Sequence, residues 1–225
     1  DLHSFPTRRS SDLLSYKNNN TADASKAFYT IGYCYFYQSQ WANSRQWFTQ
    51  YLSNEPDKKS DYYYDAQCRI GDCYFYERNF TSAASSYTKV ISSNSTNTDY
   101  ALYQKAFIKG LQKKYREEIA DLQSLIKKYP NSVYAPKAQY EIGRAYVLQN
   151  KYNDAIGQYN VVLEKYPQNP IARKASLEIG MLYENMGQND MAIAAYKKVV
   201  ERYPGSEQTN VALESMQNLY VDKKT

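Results

Sequence analysis

Histidine is almost missing from this chain: His3 is the single one among 225 residues. The Ser–His and Cys–His pairs of nucleophilic catalysis go with it, as do the usual His-containing zinc sites. The eight glycines are scattered and form no phosphate-cradling loop. Acidic residues are scattered too, and Glu117-Glu118 sits in a lysine-rich helix and reads as surface. Carboxylate pairs assembled from distant positions are the catalytic arrangement this leaves open. The reading is a non-enzyme with no cofactor and no metal. No stretch approaches the ~20 apolar residues of a membrane span.

What the chain does have is a phrase repeated with few changes. Residues 140–167 and 177–204 align so that Gly143/Gly180, Tyr146/Tyr183, Ala155/Ala192, Tyr159/Tyr196 and Pro167/Pro204 each lie 37 residues apart. Self-similarity at that period marks a helical repeat array. Counting from the Gly position, the frame asks for an aromatic at +3 and +9, a small residue at +12, an aromatic or Leu at +16, and Pro at +24. Gly32, Tyr35, Trp41, Ser44, Phe48 and Pro56 fit it, as do Gly71, Tyr74, Phe80, Ala83 and Tyr87. A worn block keeps Tyr115, Leu122 and Pro130 but carries Ala106, Lys109 and Glu118 at the Gly, +3 and +12 positions. Leu213, Met216 and Tyr220 begin a further first helix.

This is packing chemistry. Each unit reads as two helices with apolar positions at 3.6-residue spacing. Gly and the +12 residue let the helices approach, and the aromatics fill the space between them. Thr81, Asn153 and Asp190 share a position expected to be the N-cap of the second helix. Tyr-Pro at 129–130, 166–167 and 203–204 should stop that helix. Cys34 and Cys73 both stand at +2 and are expected to be small buried hydrophobes. Cys68 and Cys73 are five apart and make a poor disulfide or metal pair, and an odd count gives no disulfide framework.

At these residues the chain resembles the tetratricopeptide repeat family over roughly 24–220. Ile142-Gly143, Tyr146, Ala155, Tyr159 and Pro167 carry the pattern. The resemblance implies an all-α fold: an α-solenoid of about five helix-turn-helix units plus a C-terminal helix, wound as a right-handed superhelix. Units are expected at about 25–58, 64–97, 99–132, 136–169 and 173–206, with a final helix at 207–220 and a tail at 221–225. Spacings of 35 to 39 between Gly positions exceed the family's usual ~34. That lengthening, with Tyr-Pro-x-Ser/Asn-x-x-Ala links, looks like bacterial envelope members: β-barrel assembly lipoproteins and Tol–Pal partners.

Residues 1–13, DLHSFPTRRSSDL, resemble a translated sequencing adapter. They are set aside, and with them His3. The native N-terminus is then expected to be missing, and 14–23 to be a linker or the remnant of a preceding repeat. Formal charge is +5, concentrated between Lys105 and Lys128. Such a stripe can contact nucleic acid or anionic lipid but is more often a solvated helix face. No nucleic-acid-binding motif accompanies it, so no nucleic-acid partner is expected.

The 26 tyrosines divide into +3 core residues and others on the family's concave first-helix face. The candidate partner-binding residues are Tyr29, Tyr33, Phe36, Tyr37, Phe75, Tyr76, Tyr103, Phe107, Tyr140 and Arg144. Aromatic rings offer large contact area with few torsions to freeze, although the same residues can simply pack between neighbouring helices. The functional expectation is a protein or peptide interaction scaffold in the periplasm or at the outer membrane. The alternative is a cytoplasmic regulatory module that recruits a partner to a separate effector or catalytic domain.

Overall fold

The computed structural model describes residues 21–222, and each element in it is an α-helix. The adapter-like segment 1–13, most of the stretch 14–23 and the last tail residues lie outside the described residues. In chain order the helices are α1 Thr21–Tyr37, α2 Trp41–Asn54, α3 Asp61–Tyr76, α4 Phe80–Ser93, α5 Thr98–Leu111 and α6 Tyr115–Lys128. They continue with α7 Ala135–Val147, α8 Tyr152–Lys165, α9 Pro170–Asn185, α10 Asn189–Arg202 and α11 Glu207–Asp222. This is the all-α helical repeat expected. The chain forms two compact units that divide between Ile108 and Lys109.

Glycine sets the helix spacing. A Cβ on Gly32 would stand 2.9 Å from the Phe48 ring, and one on Gly71 would stand 2.7 Å from Tyr87. In the second unit, Gly143 and Gly180 meet the Tyr159 and Tyr196 rings more closely still. Phe48, Tyr87, Tyr159 and Tyr196 are fully buried, and so are Ser44, Ala83, Ala155 and Ala192 at +12. The frame read from the sequence is thus the geometry of the helix pairs.

The turns within units follow one plan. Ser39, Arg78, Lys113, Asn150 and Gly187 share the +7 position, and each has positive φ, from 58° to 70°. The next amide reaches back to close the helix: Asn79 N–H to Tyr74 O at 2.8 Å, Lys151 N–H to Tyr146 O at 3.0 Å. This is a Schellman closure with a left-handed residue. It displaces the expected caps. Thr81, Asn153 and Asp190 fall inside the first turn of their helices, whose N-caps are Asn79, Lys151 and Gln188. Only Asn79 caps with its side chain, accepting from Ser82 N–H at 3.1 Å. The left-handed residue has already ended the preceding helix, so the next one starts two residues earlier than a polar-cap search suggests.

A non-glycine residue in the left-handed region costs on the order of 1 kcal/mol. Arg78→Gly and Lys113→Gly are therefore each expected to stabilise their unit by about 0.5–1 kcal/mol. Urea unfolding checks this, and a loss of stability in both variants would contradict it.

Second helices end as expected. Lys128, Lys165 and Arg202 are last residues, and Tyr129, Tyr166 and Tyr203 leave the helix with φ near −130°. The residue before Pro disfavours the helical region, which is the reason. Elsewhere, Ser60 caps α3 by accepting from Tyr63 N–H, and Asn169 caps α9 ahead of Pro170 at the first helical position.

One expected small buried hydrophobe is not buried. Cys73 is buried, but Cys34 is exposed. Cys73 faces the Ser44 side of the preceding second helix, α2, and among the described residues no second helix precedes Cys34. On α11, Met216 and Leu219 are buried, while Leu213 and Tyr220 are exposed beside an apolar pocket with Gln217 and Val221. Gln217 stands at the Gly position of the frame, so α11 lacks the close-approach site of a repeating unit.

Candidate partner-binding surface

In the first unit, the first helices of successive repeats are joined by polar side chains. Asp65 on α3 accepts hydrogen bonds from both Tyr29 (2.7 Å) and Tyr33 on α1. Four and seven residues on, along the same face, stand Arg69 and Asp72. Arg69 Nη1 lies 2.6 Å from Asp72 Oδ2, and its Nε lies 3.5 Å from Asp65. Asp72 also accepts from Tyr87 (2.6 Å) and from Tyr100 on α5 (2.7 Å). The Arg69 guanidinium lies over the Tyr100 ring at 4.9 Å and near Phe36 at 5.8 Å.

The electrostatics are those of a desolvated network. Burial, then the Asp65 charge, raises the Tyr29 and Tyr33 pKa values far above the ordinary phenol value, so both remain protonated donors. Burial also raises the Asp72 pKa, opposed by Arg69 and the two tyrosine hydroxyls.

The candidate residues separate by exposure. Tyr29, Tyr33 and Phe36 are half-buried, and Tyr37 is 74% exposed. Tyr76 is 54% exposed, and its ring stacks on Trp41 at 4.3 Å with 17° between planes. Phe75 and Phe107 are half-buried with centroids 6.0 Å apart, and Tyr103 is buried beside Phe107. Tyr62 was not among the sequence candidates, yet it is 64% exposed and meets the Tyr29 ring edge-on at 5.4 Å. Asp65, Arg69 and Asp72 were also missed. The signal was there: charges at i, i+4 and i+7 continue the face that carries the candidate tyrosines of α1.

Tyr140 and Arg144 belong to the second unit, on α7. Tyr140 is buried against Tyr159 and donates to Glu178 at 3.3 Å, so it packs. Arg144 has a half-exposed side chain and pairs with the buried Glu141 at 2.8 Å.

The same neighbourhood overturns one surface assignment. Glu117 is exposed, but Glu118 is only 4% exposed and fills the +12 position held by Ala or Ser in other units. Gly110 makes the room, since a Cβ there would strike the Glu118 carboxylate. Lys109 is drawn away to Asp121 (2.7 Å) and Glu117 (3.5 Å). Burial, and then Glu141, push the Glu118 pKa up to about 7 against the pull of Arg144.

The folded chain therefore holds a proton that the unfolded chain releases at lower pH. Stability is expected to fall as pH rises from about 4.5 to 7, on the order of 1–3 kcal/mol in all. Glu118→Gln should melt above the parent at pH 8 and close to it at pH 5. An equal melting difference at both values would contradict this.

Tetratricopeptide repeat profiles match residues 64–97, 100–132, 137–169 and 174–206, more than half of the sequence. The chain belongs to the tetratricopeptide repeat family. Proteins of this family act as interaction scaffolds. The worn block is among those matched, whereas the helix pair α1–α2 is not, although its Gly32–Phe48 contact is of the same kind. A search of curated proteins finds no match.

Similar solved structures include the C-terminal part of a repeat protein from Cytophaga hutchinsonii. It is 18% identical, with 95% of this chain and 81% of that one covered and a TM-score of 0.74. MamA from Desulfovibrio magneticus is 16% identical, over 84% and 99% of the chains, with a TM-score of 0.65. YrrB, described as a repeat protein with an unusual peptide-binding site, is 14% identical over 92% and 100%, with a TM-score of 0.59. At these identities the likeness is one of fold. Among the described residues no helix is long and apolar enough to cross a membrane.

Proposed function

We propose that this chain is a non-catalytic scaffold that holds a peptide or protein partner on the first-helix face of its first unit. The observation that carries the reading is the exposure of Tyr37, Tyr62 and Tyr76, each packed against a neighbouring ring: Tyr33, Tyr29 and Trp41. Rings presented from a hydrogen-bonded base lose little freedom on binding, which is the economy of an aromatic contact surface. The peptide-binding description of YrrB supports a peptide as one form of the partner.

The proposed location is a bacterial envelope. Its support is the set of Tyr-Pro turns at 129–130, 166–167 and 203–204, which resemble those of envelope members of the family. One observation favours the cytoplasmic reading instead: Cys34 is an exposed free thiol, a group that persists more readily in a reducing compartment.

The test of binding is capture by the purified chain and by its Tyr37→Ala/Tyr76→Ala variant. Both rings are exposed, so the variant should stay folded, with only the modest melting loss of the Tyr76–Trp41 stack, and lose most of the captured partner. Capture unchanged by the double replacement would move binding off this face. Fractionation of the source bacterium with an antibody decides the location.

A further inference from the structure

We infer that the first-helix face of the first unit takes a cationic segment, one bearing lysine or arginine, with Asp65 as its anchor and tyrosine rings as its walls. This rests on the binding surface proposed above and adds the chemistry of the occupant.

The charge on that face is one-sided at its centre. Helix α3 carries Asp61, Asp65 and Asp72 against a single cation, Arg69. Arg69 is not available to an incoming anion, because both Asp65 and Asp72 engage it and the Tyr100 ring covers it.

The hydroxyl chemistry points the same way. A phenol has one proton to donate and lone pairs to accept with. Tyr29 and Tyr33 spend their protons inward on Asp65. What these groups offer a partner is therefore oxygen lone pairs and ring faces. Lone pairs, π faces and a carboxylate all favour an ammonium or guanidinium group, and a carboxylate-bearing segment would find no free donor among them. The walls are in place, since Tyr37 and Tyr62 are largely exposed on either side of the Tyr29–Tyr33 pair, whose centroids lie 5.1 Å apart.

The experiment is fluorescence anisotropy of the full chain with short labelled peptides. One alternates lysine with serine, and its counterparts carry glutamate or glutamine in place of lysine. The lysine peptide is expected to bind about tenfold or more tighter than either counterpart at low salt, with the preference shrinking as salt is added. Asp65→Asn and Tyr62→Ala should each weaken it about fivefold or more. Tyr62→Ala should also keep the parent melting temperature, which separates lost binding from lost folding. Equal or tighter binding of the glutamate or glutamine peptide would overturn the assignment. So would binding of none of the three, or lysine binding that survives both replacements. A glutamine or glutamate complex weakened by Tyr37→Ala/Tyr76→Ala would sink the cationic occupant and leave the binding surface standing.

Discussion

Replacing Arg69 with methionine is expected to cost on the order of 3–5 kcal/mol, the usual effect of stripping one partner from a buried ion pair. Asp72 is 3% exposed, and its nearest cation is the Arg69 guanidinium at 2.6 Å. Two tyrosine hydroxyls remain to it after the replacement, from Tyr87 and Tyr100. They solvate a charge but do not neutralise it, so the carboxyl would either remain charged at high cost or take up a proton. The companion variant Arg69→Met/Asp72→Asn removes both charges and keeps an acceptor for the hydroxyls. It should recover most of the loss, giving a large coupling between the two sites. Denaturant unfolding of the parent, the two single variants and the double variant measures it. A cost below about 1 kcal/mol for Arg69→Met would show that the network is solvated, as exposed ion pairs are.

The second large effect lies at the helix crossings. Gly143→Leu is expected to destabilise the second unit by about 3 kcal/mol or more, because even a Cβ there strikes the Tyr159 ring. Gly143→Ala is the finer test. Alanine gains about 1 kcal/mol of helix propensity over glycine, so any net loss must come from the contact with Tyr159. The third repeat shows the compensated alternative in sequence, with Ala106 at the Gly position and Leu122 at +16. Gly143→Ala should therefore be better tolerated in a Tyr159→Leu background, which makes room for the Cβ. Coupling of the expected sign, about 1 kcal/mol or more, supports the close approach. Additive effects would contradict it.

Much of the fold was legible because one pattern is written several times. Gly32, Gly71, Gly143 and Gly180 each announce an aromatic sixteen residues on, and each finds it in space. Caps were less legible: Thr81, Asn153 and Asp190 look like N-caps, but the left-handed +7 residue is occupied by Ser, Arg, Lys, Asn or Gly and has no single letter to read. Glu118 escaped because a charged residue in a lysine-rich helix reads as solvated, and the glycine that admits it, Gly110, lies outside the repeat frame. The candidate surface was half legible. Periodicity pointed to the tyrosines, but a search for apolar spacing passes over Asp65, Arg69 and Asp72, which decide where those hydroxyls point.

The most direct measurement is photo-crosslinking of the intact chain from two positions, 37 on the ring-bearing face and 89 on the second helix α4, where Lys89 is exposed. Each is given a photoreactive residue and irradiated in extract of the source organism. The account predicts a discrete adduct from position 37, suppressed by the lysine–serine peptide, and no such adduct from position 89. Adducts of equal yield from both positions, or from position 89 alone, would contradict a partner-binding role for the first-helix face.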